Sequence, residues 1–199
     1  MTQVEACLLR TSTAAMRWAE HQANVSDEVG GGGVTSTGAM RQLELVEEGW
    51  SPFRAVVAEL APDQLEQGTP AGWTVKEMLA HIAFWEETVK PVFVGWFRGE
   101  PDEAFEGWYG GEQLGLSRDD PWPVSDVHNA REAAWARNRP SAEVLARLER
   151  AHRQLVDVVG SLSEEEANNE RYTEKIASAT WRHYAKHLPE LQVVVEMTT

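Results

Sequence analysis

The sequence predicts an all-α domain with four main helices. Three observations carry this: apolar residues recur at steps of three and four along separate stretches, helix-start signals precede those stretches, and no alternating strand pattern of any length occurs. At 199 residues the chain suits one domain with a sizeable core.

Residues 1–36 contain VGGGGVTSTG, a linker composition, after a weakly helical segment. They are expected to be a flexible tail or an over-extended translation start, with the folded domain over 37–199. From Met40 the residues Leu43, Val46, Trp50, Phe53, Val57 and Leu60 form the stripe of the first helix, which Pro52 is expected to kink. The second helix opens on Thr74-Val75-Lys76-Glu77, a capping box. Its stripe runs through Met78, His81, Ile82, Trp85, Val89, Val92, Phe93 and Trp96, with a bend expected near Val89 because of Pro91.

Residues 98–123 are rich in Gly, Pro and acid and exceed the usual connection length, so they are expected to cross one end of the domain as a lid or crossover beside the pocket. Ser125 or Asp126 is the cap expected for the third helix, which Pro140 divides. Its stripe is Leu145, Leu148, His152, Leu155, Val159 and Leu162. Ser163 to Glu166 is a second capping box with no apolar run behind it, which predicts one short helical turn. The last helix carries Ile176, Thr180, His183, His187 and Leu191 on one face.

Composition excludes several classes of function. The chain has 18 Lys and Arg against 32 Asp and Glu, a net charge of -14, which repels nucleic acids and anionic membranes. The longest apolar runs are too short for a membrane span and the N-terminus lacks a signal-peptide layout, so a cytoplasmic location is expected. Cys7 is the only cysteine, so any thiol chemistry would use an imported thiol. Nine tryptophans furnish either core packing or an aromatic-lined pocket.

His183 and His187 lie four residues apart, which places both imidazoles on one helix face and suits two ligands of one metal. His81 is the other histidine set in a stripe near a helix start, and a metal would satisfy one nitrogen of an otherwise costly buried imidazole. His152 has no pairing partner nearby in sequence and reads as a core or pocket residue. His128, near a helix start, reads as solvated or capping, and His21 lies in the tail.

Trp85 follows His81 by one turn and is either a pocket wall or plain core. Glu86, the catalytic candidate, is a general base, a partner to a histidine or an exposed acid. Asn129 is a pocket residue or bonds its own backbone. Thr180, on the histidine face, is a further substrate-binding candidate.

Gly72-Trp73-Thr74-Val75, then His81-Ile82-Ala83 and Trp85-Glu86, then Asn129 in DVHNAREAAWARNR, and finally HYAKHLPEL together resemble the DinB-like superfamily of four-helix bundles, from about residue 40 to the C-terminus. The resemblance implies an up-down-down-up bundle with a long crossover, and a divalent ion (Zn, Ni or Fe) held by His81, His183 and His187. Relatives include bacillithiol and mycothiol S-transferases, mycothiol-dependent maleylpyruvate isomerase and a colibactin self-resistance cyclopropane hydrolase. Fold membership does not choose among these reactions.

The expected function is metal-dependent transfer of a low-molecular-weight thiol to a small electrophile. The alternatives are a hydrolase or self-resistance protein acting on a reactive small molecule, and a non-catalytic small-molecule binder. A homodimer remains open as the oligomeric form.

Overall fold

A computed structural model describes residues 35–99 and 124–197. Every regular element among them is helical. The one β-type contact is an isolated bridge between Gly68 and Thr74. The helices are α1 (Thr37–Glu59), α2 (Val75–Glu87), α3 (Val89–Phe97), α4 (Val124–Arg137), α5 (Ser141–Gly160), α6 (Glu164–Asn168), α7 (Glu170–Ala179) and α8 (Trp181–Glu196), with a single 3-10 turn at Gln64–Glu66. No described helix is long and apolar enough to cross a membrane.

Seven of these helices are the four expected segments, three of them broken in two, and α6 is the expected short turn. The first runs unbroken through Pro52 and starts on Ser36, whose hydroxyl accepts from the Ala39 amide and donates to the Leu162 carbonyl. The second opens on the Thr74 capping box, in which the Thr74 hydroxyl and the Glu77 carboxylate satisfy each other's backbone N–H. It breaks at Thr88, one residue before the expected Val89. Pro91 then sits in the first turn of α3, where a missing N–H removes no helical bond. The third segment starts at Val124 and breaks at Pro140, and the second capping box forms the short α6.

The last segment departs from expectation. Thr180, with φ -125 and ψ -107, separates α7 from α8, so the supposed continuous face from Ile176 to Leu191 is two faces joined at a corner. The segment 100–123, expected as a lid or crossover, lies outside the described residues, as does His21.

Two apolar clusters fill the interior. Val46, Val92, Phe93, Trp96, Leu155, Val159 and Ile176 belong to one, and Trp50, Phe53, Met78, Ile82, Leu148, Tyr184 and Leu191 to the other. Helix α2 packs between α4 and α5, while α1 packs against α8. Gly49 permits that second contact, because a Cβ there would lie 2.8 Å from the Trp181 Cα. The close approach fixes the start of α8 two residues before His183.

Candidate metal centre

Helix α2 carries His81, and α8 carries His183 and His187. One turn separates the latter pair, so local geometry alone puts them side by side. Packing brings the third. His81 Nε2 lies 2.8 Å from His183 Nε2, and one ring nitrogen from each of the three residues falls within 4.8 Å of the others. All three are buried, with 6%, 9% and 5% exposure respectively.

The neighbours of His81 and His187 select which nitrogen of each points inward. Asn129 Oδ1 lies 2.9 Å from His81 Nδ1 and also accepts from Trp85 Nε1 at 3.1 Å. An amide oxygen can only accept, and Asn129 Oδ1 accepts from both neighbours: the proton of His81 is placed on Nδ1, and Trp85 Nε1, 3.2 Å from that same Nδ1, donates to Asn129. The Nε2 lone pair of His81 then faces its partners. Glu190 Oε1 stands 3.2 Å from Nδ1 of His187 and does the same there, while His187 Nε2 is buried with no hydrogen-bond partner among the described residues. Carboxylate and amide oxygens behind imidazoles are the usual supports of metal ligands. A buried Nε2 without a hydrogen-bond partner is a lone pair that fits a metal ion.

Electrostatics keep the rings neutral. Burial lowers the His81 pKa to about 3, with added repulsion from His187 and Lys186 against the favourable Asn129 contact. Burial and the two neighbouring imidazoles hold His183 well below its ordinary value, against a small opposing effect of the Ala179 carbonyl. Burial lowers His187 too, offset in part by Glu190. Neutral imidazole is the form that binds a metal, so the site competes weakly for protons.

Two of the three histidines, His81 and His183, line a cavity of about 580 Å³ together with Trp85, Trp96, Asn129 and Lys175, and His187 lies behind them. Trp85 and Asn129, both substrate-binding candidates, therefore stand on its wall. The Asn129 side chain faces His81 and Trp85, which decides between its two readings. Trp73, in the turn that Gly72 permits at φ 86, packs edge-on against His81 with centroids 4.8 Å apart.

Two candidates do not reach this cavity. Thr180 is fully buried and its hydroxyl donates to the Ile176 carbonyl at 2.7 Å, so it forms the corner between α7 and α8 and is not among the residues lining the cavity. Glu86 is 2% exposed, accepts from the Tyr184 hydroxyl, and lies 3.5 Å from His152 Nδ1. It partners a histidine, but that histidine is His152 and not one of the triad. His152 is thus not unpaired, and it stacks on Trp50 at 3.9 Å. His128 is buried against Phe84 and Trp85 and is neither solvated nor at the surface.

Sequence reasoning passed over Glu190, Lys175, Trp96 and Asp126. Glu190 had a legible signal, since it follows His187 by three residues on the same helix. Lys175 and Asp126 had none, because only packing turns them to the triad.

Asn129→Ala is expected to lower metal affinity by about 10- to 100-fold, the usual cost of losing a ligand's outer support. Competition against a chromogenic chelator measures it. An unchanged affinity would show that Asn129 does not orient His81.

A family model described as the DinB superfamily matches residues 45–190, a span holding all three histidines, Asn129 and Glu190. No curated protein and no solved structure matches the chain. The match covers well over half of the sequence and the fold is all-helical throughout the described residues: the chain belongs to the DinB superfamily.

Proposed function

We propose that this protein is a metal-dependent transferase that joins a low-molecular-weight thiol to a small electrophile, with Zn, Ni or Fe held by His81, His183 and His187. The observation that carries the reading is the convergence of three buried imidazoles, two of which line a cavity that Glu86 does not line. When bound, such an ion supplies Lewis acidity that lets a thiol ionise near neutral pH, so no carboxylate base is required.

The chain's own residues do the rest. Asn129 and Glu190 orient the imidazoles, burial keeps them neutral, and Trp85 and Trp96 give the electrophile an apolar wall. Transfer forms one C–S bond, releases the electrophile's leaving group with its electron pair, and passes the thiol proton to solvent. Low-molecular-weight thiols are kept reduced in cytosol, so a detoxifying role of this kind belongs there. A net charge of -14 argues against nucleic-acid or membrane partners.

Hydrolysis of a reactive small molecule is the second reading, and Asp126 favours it as a carboxylate lining the cavity. The base the sequence suggested, Glu86, is not on that lining. The test is consumption of 1-chloro-2,4-dinitrobenzene by the zinc-loaded chain with cysteine, glutathione and related thiols. The expected result is turnover that requires both thiol and metal. Thiol-independent consumption would move the assignment to hydrolysis, and retained metal without any consumption would point to sequestration.

A further inference from the structure

An ion-pair network joins α2, α4 and α5, and it acts on the helix that carries Asn129. Helix α2 buries ten of its thirteen residues, whereas α4 buries only Val124, His128, Ala133 and Ala136 of its fourteen. Two of those four are alanines. Apolar area therefore holds α4 weakly, and its depth and rotation on α2 are left to polar contacts.

Two arginines make those contacts. Arg137 of α4 pairs with Glu77 near the start of α2, but its side chain is 64% exposed and solvent screens the pair. The Arg147 side chain of α5 is only 13% exposed. Its Nε donates to Glu87 Oε1 at 3.0 Å and its Nη2 to Glu87 Oε2 at 2.7 Å, at the end of α2, while its Nη1 donates to Glu132 of α4. The same guanidinium lies over the Trp135 ring of α4, 4.6 Å from its centroid. Burial works against the charge of Arg147, and the bonds to Glu87 and Glu132 more than offset it, so its pKa stands above the ordinary value. One planar fork thus grips α4 twice, through Glu132 and Trp135, and is itself anchored on α2.

Glu132 lies three residues after Asn129, one turn along the same side of α4. Asn129 Oδ1 is the 2.9 Å neighbour of His81 Nδ1 and the acceptor of the Trp85 indole N–H. We infer that Arg147 is a positioning residue of the histidine centre: by tying Glu132 and Trp135 to Glu87, it sets α4 at the depth and rotation that bring the Asn129 carbonyl to His81. The inference rests on the reading of Asn129 as the support of a metal ligand. Arg147 acts through α4, 66 positions along the chain from His81.

The first readout needs no metal. In the full chain, stripped of metal by chelation, the Trp85 indole N–H is identified by its loss in Trp85→Phe and reports the Asn129 contact through its exchange with deuterated solvent. Arg147→Met and Glu132→Gln are each expected to speed that exchange at least about ten-fold while the backbone amides of α8 keep their protection, because local opening of α4 does not require the bundle to unfold. The second readout is zinc affinity by chelator competition. Arg147→Met should lower it about three- to ten-fold, less than direct loss of Asn129, and should change it less than about two-fold in the Asn129→Ala background, where the contact it serves is already gone.

Unchanged indole exchange in Arg147→Met, faster exchange matched by the α8 amides, or a zinc loss that adds in full to that of Asn129→Ala would overturn the inference. The two readings fail separately. A wild-type chain that binds no zinc yet shows the exchange response sinks the metal reading alone, and zinc held by the wild type without any exchange response sinks the positioning role alone.

Discussion

Replacing His183 with alanine is expected to weaken zinc binding by more than about 100-fold, beyond the 10- to 100-fold that loss of an outer support costs. The residue offers one of the three nitrogens that converge among the described residues, and its Nε2 is the one in contact with His81. Turnover that depends on the ion should disappear with it. The fold should survive, because the two apolar clusters, not the imidazoles, supply most of the burial. Metal content, chelator competition and thermal unfolding in excess chelator make the comparison. Unchanged zinc affinity in His183→Ala would remove the triad from the function, whereas a collapsed fold would make the histidine structural.

Tyr184→Phe is expected to cost about 1–3 kcal/mol of stability, the scale of removing one donor from a buried carboxyl group that keeps His152 as its other partner. The Tyr184 hydroxyl donates to Glu86 Oε1, while Glu86 Oε2 has no partner among the described residues. Burial raises the pKa of Glu86, opposed by His152 and Tyr184; burial and the Glu86 charge hold Tyr184 well above its ordinary value. The sign follows from linkage. A carboxyl whose folded pKa is raised contributes stability that is present below its unfolded pKa and is lost as pH rises through the folded one.

Removing the hydroxyl raises the folded pKa of Glu86 further, so the penalty should be small in mild acid and grow towards pH 8. Denaturant unfolding of both proteins across that range reads it out. Glu86→Gln in the Tyr184→Phe background should recover part of the loss and flatten the pH dependence. A penalty that shrinks as pH rises would mean that Tyr184 does not serve an ionisable Glu86.

Glu86 also shows where the sequence was readable and was read short. Residues advance about 100° per step on a helix, so Trp85 lies about 40° from His81 and Glu86 about 140° from it. One turn after His81 shares its face; one residue more does not. The same arithmetic made the His183 and His187 pair legible, and it would have flagged Glu190 behind His187. It fails at Thr180, because the corner between α7 and α8 breaks the angular count that a single helix would allow.

By itself the sequence determined what depends on neighbours within a turn or two. It placed both capping boxes, because a Ser or Thr hydroxyl and a Glu three residues on reach each other's backbone without help from the rest of the chain. It determined the helical class and most of the buried stripes, because periodicity marks one face of a helix whatever packs there. Only the tertiary structure decided that His81 of α2 meets His183 of α8 across 102 positions, that Asn129 of α4 supports it, and that Glu86 is committed to Tyr184 and His152. Those contacts depend on how each helix is rotated and slid against the others. That choice is made by close packing of whole faces, such as the approach of α1 to α8 at Gly49, and no local run of residues encodes it.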